Sequence, residues 1–114
     1  MIVQFHKELA AGRWFQLSIF EQMGNIGSEV SRAARWQGKD EKLFQGAVER
    51  ALELFDLTLE DPRWRGMGRR YEIARARELF CAAAYGGEAY GSTLENLQPY
   101  FDWFALVARG RQGV

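Results

Sequence analysis

The chain carries one cysteine, one histidine, two prolines and no net charge in 114 residues. Cys81 alone excludes an internal disulfide, and His6 alone leaves no set of cysteine and histidine ligands from which to assemble a metal site. Metal and cofactor are therefore both expected to be none. Net neutrality excludes nucleic-acid attraction by overall charge, so any basic surface has to be local. No apolar stretch approaches the roughly 18 residues of a membrane span, and no basic segment followed by an apolar run opens the chain. Together with the cysteine usage, these absences predict a cytoplasmic protein with no membrane contact.

Apolar material is plentiful. Eight Phe, four Tyr and four Trp supply a core, and a single domain of this length buries roughly two thirds of the surface its unfolded chain would expose. From Trp14 to Trp36 the apolar residues fall on two adjacent helical stripes. Ile19, Met23, Ile26, Val30 and Ala33 form one, and Phe20, Gly24, Gly27, Ser31 and Ala34 the other. A broad apolar face half built of small residues predicts another helix lying close against it.

Four helical segments follow from this periodicity, at about 15–36, 41–60, 68–85 and 93–109. Gln37-Gly38 stops the first, and Asp40 caps the second. The second carries Phe44, Ala47, Val48, Ala51, Leu52, Phe55 and Leu59 on one side and Lys42, Gln45, Glu49, Glu53, Asp56 and Glu60 on a polar arc. Asp61-Pro62 ends it, because the residue before proline is driven from helical geometry. The third segment has two apolar stripes. One is Met67, Tyr71, Ala74, Cys81, Ala82 and Tyr85, with Glu78 in its middle; the other is Ile73, Ala76, Phe80 and Ala83. Gly86-Gly87 breaks it, and Gly91 follows. Ser92-Thr93-Leu94-Glu95 reads as a capping box, with a short turn at 93–97 and the main helix from about 98, so that Pro99 falls in its first turn. Short connections predict an all-α, antiparallel up-down-up-down four-helix bundle occupying 1–114 as one domain.

Charge is segregated. Between Asp40 and Asp61 seven acidic residues face Lys42 and Arg50, and between Arg63 and Arg77 six arginines face Glu72 alone. Pairing of these faces across neighbouring helices is one reading. The other is a nucleic-acid surface at Arg63, Trp64, Arg65, Arg69, Arg70 and Tyr71, where guanidinium groups would pair with phosphate and aromatic rings would stack on bases. Asn25, Glu29, Arg75, Arg77 and Glu78 are candidates for a buried polar or ion-paired group. Glu29 and Glu78 lie in or beside apolar stripes, where a carboxylate requires a partner; Arg32, Arg70, Arg75 and Arg77 are the arginines within reach. Glu49, Glu53 and Asp56 could hold magnesium, as in all-α nucleotide pyrophosphohydrolases. Such enzymes need a second dense acidic cluster, and the first helix offers only Glu21 and Glu29. No catalytic residue is assigned. Cys81 reads as a small core residue.

Asn25-Ile26-Gly27-Ser28-Glu29, a following arginine, a short polar loop, Leu43-Phe44 and Ala51-Leu52-Glu53-Leu54 together resemble the bacterial four-helix-bundle proteins encoded in intervening sequences of large-subunit ribosomal RNA genes. Those are similar to the accessory variability proteins of diversity-generating retroelements. The resemblance covers about 20–59, and Val30 stands where that family has glycine. It implies a ring-like homo-oligomer, a pentamer, associated with RNA or a reverse transcriptase. The expected function is a non-catalytic, self-associating binding or scaffold subunit. The alternatives are the magnesium-dependent hydrolase and an adaptor that binds protein only.

Overall fold

Ser18 opens the first helix of the computed structural model, which describes residues 12–66, 68–86 and 93–112. Its hydroxyl accepts the Glu21 N–H at 3.1 Å, and the Glu21 carboxylate accepts the Ser18 N–H at 2.9 Å. This reciprocal cap satisfies two amides that a helix start leaves bare. It places the start of α1 (Ile19–Trp36) four residues later than the hydrophobic pattern indicates, with Trp14–Gln16 forming a separate 3-10 turn. Asp40 caps α2 (Glu41–Glu60) through the Leu43 N–H, and a 3-10 turn at Pro62–Trp64 follows. α3 (Arg69–Tyr85) begins after Gly68, whose φ of +80° is a conformation glycine adopts without strain. Gln37, just beyond α1, donates its side-chain amide to the Ala83 and Ala84 carbonyls. The α1–α2 corner thus satisfies the end of α3.

α4 (Leu94–Gln112) differs from expectation. It is one helix with Pro99 inside it, not a turn followed by a helix. Pro99 costs the bond to the Glu95 carbonyl and crowds that turn, yet Leu94, Phe101, Phe104 and Ala108 are buried on either side of it. That shared buried face holds the helix through the proline. Thr93 supplies the cap by accepting the Asn96 N–H at 3.0 Å. Ser92, expected to cap, lies outside the described residues, as do His6, Met67, Gly87 and Gly91.

Among the described residues there are four α-helices and no strand. α1 packs most extensively against α4 and α2, while α3 packs against α2 and more thinly against α4. The first stripe of α1 is wholly interior, with Ile26, Val30 and Ala33 fully buried. The small-residue stripe meets α4: a Cβ on Gly27 would lie 2.6 Å from Phe101 Cβ, and one on Gly24 3.2 Å from the Ala105 backbone. Hydrogen bonds join Gln22 to Asp61 and Glu29 to Arg50 across α1 and α2, and Asp56 to Arg77 and Gln45 to Tyr85 across α2 and α3. Residue numbers rise on one helix as they fall on the other.

Packing chooses between the two stripes of α3 and corrects the readings of Cys81 and Glu53. On α3 the interior stripe is Ile73, Ala76, Phe80 and Ala83, and the stripe running from Tyr71 through Glu78 to Tyr85 is turned outward. Cys81, read as a core residue, is half-buried on that outward side. Glu53, read as part of the polar arc of α2, is buried, because α2 is enclosed by α1, α3 and the first 3-10 turn and so hides a wider arc than its apolar stripe.

Candidate functional site

A polar cluster closes one end of the bundle. Gln22 and Thr58 are fully buried and Asp61 nearly so, and each has partners. The Gln22 amide donates to the Trp14 carbonyl at 3.0 Å and to the Asp61 carboxylate at 3.1 Å, while its oxygen accepts the Trp64 indole N–H at 2.8 Å. The Trp14 indole donates to Thr58, which donates to the Leu54 carbonyl. Arg63 donates to Asp61 from its backbone and guanidinium, reaches the Leu17 carbonyl at 2.6 Å and lies 4.5 Å above the Trp64 ring. Burial alone would raise the Asp61 carboxyl, but the hydrogen bonds from Arg63 and Gln22 and the Arg63 charge outweigh it and hold its pKa below the ordinary 3.8. A fully satisfied network of this kind fixes the chain after α2 against α1.

The arginine-rich segment is therefore split. Arg63 and Trp64 are committed to that latch. Arg69 donates to Glu72 at 2.7 Å, and Tyr100 donates to the other Glu72 oxygen at 3.2 Å. Burial, and then the Glu72 charge, push the Tyr100 phenol far above its ordinary value, so it remains a donor. Only Arg65, Arg70 and Tyr71 of the six expected nucleic-acid residues are left exposed and without an ion pair or hydrogen bond among the described residues. Of the expected buried polar groups, Glu29 alone is buried, held by Arg32 at 2.8 Å and Arg50 at 3.2 Å. Asn25 is exposed and bonds the Glu21 carbonyl. Glu78 is 71% exposed and pairs with exposed Arg75, because its stripe faces outward. Arg77 joins Asp56 at 3.0 Å. Arg50 was not anticipated as a partner, since helical spacing reveals neighbours within one helix and not across two.

The bundle also exposes apolar side chains. Of the six exposed large hydrophobic residues among the described residues, Tyr71 and Tyr85 lie on α3 and Tyr100, Trp103 and Leu106 on α4. The α4 trio recurs every three residues, a continuous surface stripe. Its rings are braced from below, with Trp103 edge-on to Phe20 and Phe104, and Tyr100 edge-on to Phe101 and Phe104. Beside this stripe, where α3 and α4 touch least, a groove of about 390 Å³ is lined by Tyr71, Ala76, Leu79, Leu97 and Tyr100 among others. No family model, curated protein or solved structure matches this chain. The functional reading accordingly rests on the chain's own surface.

Among the described residues no three His, Cys, Asp or Glu side chains converge as metal ligands. Asp56 is engaged by Arg77 and Glu53 is interior, so the proposed carboxylate face of α2 is divided between an ion pair and the core. No helix in the described residues is long and apolar enough to cross a membrane.

Proposed function

We propose that this protein is a non-catalytic, up-down-up-down helical bundle that self-associates through the outer faces of α3 and α4 and serves as a binding or scaffold subunit. One observation carries the reading: among the described residues, five of the six exposed large hydrophobic side chains lie on those two helices, three of them in a single α4 stripe. Contiguous exposed apolar surface of this kind marks association. The opposed numbering of the cross-helix pairs supports the up-down order. The single half-buried thiol supports a reducing, cytoplasmic setting.

A homo-oligomer is the first consequence, and the resemblance makes it a ring of five. Light scattering at micromolar concentration tests both: a mass several times 13.1 kDa supports association, five copies support the ring, and a monomer removes the proposal. A partner of the RNA or reverse-transcriptase class follows from the resemblance alone. The protein-only adaptor gains from the Arg77–Asp56 and Arg63–Asp61 pairs, which already occupy part of the basic run.

A further inference from the structure

We infer a second binding site, in the seam between α1 and α4, for a linear polymer of phosphates. A groove of about 470 Å³ there is bordered by Ser28, Ser31, Arg32, Arg35, Asp102 and Arg109. None of its arginines belongs to the 63–77 run, and the groove lies on the α1 side of α4, where Leu106 of the association stripe adjoins Asp102 and Arg109 at helical spacing.

Three guanidinium groups border this groove against one carboxylate, Asp102, which accepts the Gln98 amide at 3.0 Å, so positive charge is in excess there. Arg35 and Arg109 are exposed and make no ion pair or hydrogen bond among the described residues. Arg32, its side chain 58% exposed, is anchored by one nitrogen to buried Glu29, which Arg50 also holds, and that bond leaves its other donors uncommitted. Ser28 and Ser31 add two exposed hydroxyls.

The arrangement is a track and not a cup. Gly27 abuts Phe101 and Gly24 abuts Ala105, so the seam runs from Arg35 beyond one contact to Arg109 one turn beyond the other. From Gly24 to Arg35 alone, the α1 side covers about 16 Å of helix axis at 1.5 Å per residue. Cations spread over that length neutralise successive charges of an extended chain better than they surround one anion. Arginine suits the task, since its planar donors pair with two phosphate oxygens at once. A nucleic-acid single strand and inorganic polyphosphate share this chemistry.

Fluorescence anisotropy with a labelled ten-residue oligouridylate, with inorganic polyphosphate and orthophosphate as competitors, tests the site. At low salt the oligonucleotide, or polyphosphate measured directly, should bind. Three phosphate contacts should lower affinity about 20-fold between roughly 50 and 200 mM salt. Arg35→Gln with Arg109→Gln should weaken binding at least tenfold, with unchanged helicity and unchanged mass by light scattering. Arg65→Gln with Arg70→Gln should leave it intact. Binding of either polymer alone upholds the site and identifies the source, and binding of both upholds it as a site for phosphate polymers in general. Failure of both polymers to bind, equal competition by orthophosphate at matched phosphate concentration, or loss with the Arg65 and Arg70 pair instead would overturn it. Because oligomer mass is read separately, failure here and failure of self-association are distinguishable.

Discussion

Gly27 and Asp61 show how much a single position decides. Gly27 has no space for a side chain, since even a Cβ would meet Phe101 Cβ at 2.6 Å. Gly27→Leu should therefore destabilise the protein by about 1–3 kcal/mol through overpacking, measured as a shift in urea midpoint. An unchanged midpoint would mean that α4 does not sit there. Asp61→Asn leaves the shape but removes the charge that accepts from Arg63 and Gln22, and should cost about 1–3 kcal/mol. The carboxyl's folded pKa lies below its ordinary 3.8, so its contribution is complete above about pH 4 and is lost as pH falls through the folded value. Urea titrations at successive pH values should show the parent weakening more steeply than Asp61→Asn below pH 4. Gly27 was legible from its place in a small-residue stripe. Asp61 was legible only as a helix stop, because Gln22, 39 residues away, reaches it only after α1 and α2 pack.

At the scale of elements, the helices and their stops were readable from period and capping chemistry, and the failures share a cause. α3 has two apolar stripes, and nothing in its own sequence says which one faces inward; α2 and α4 decide that, turning Glu78 out with Tyr71 and Tyr85. Pro99 was read as a boundary because local backbone chemistry disfavours it inside a helix, but burial of Leu94, Phe101 and Phe104 on one face prevails. The resulting strain is removable. Pro99 is exposed, so Pro99→Ala loses little packing, restores the bond to the Glu95 carbonyl and relieves the crowding. It should stabilise the protein by about 1–3 kcal/mol, seen as a higher melting temperature. A lower one would show that the proline fixes a path of α4 which the interior requires.

For the whole molecule, zero net charge and an exposed aromatic face act together. Neutrality removes the long-range repulsion that keeps copies apart, and the α4 stripe supplies surface that water disfavours. The charge segregation visible in the sequence is only partly paired off within the chain, through Arg77–Asp56 and Arg63–Asp61. Which exposed residues form a continuous patch could not be read before the orientation of α3 was known. If assembly stabilises the fold, stability must depend on concentration, since association favours only the folded chain. Each tenfold rise in concentration adds about 1.4 kcal/mol per association step, or roughly 3–6 °C in melting temperature for a domain of this size. Leu106→Glu is the cleanest probe, because Leu106 is 59% exposed, whereas Trp103 also braces Phe20 and Phe104. The variant should melt at the same temperature at every concentration and scatter as a smaller species, while the parent's melting temperature climbs. A parent whose melting temperature does not move with concentration would show instead that the α4 stripe meets no second copy.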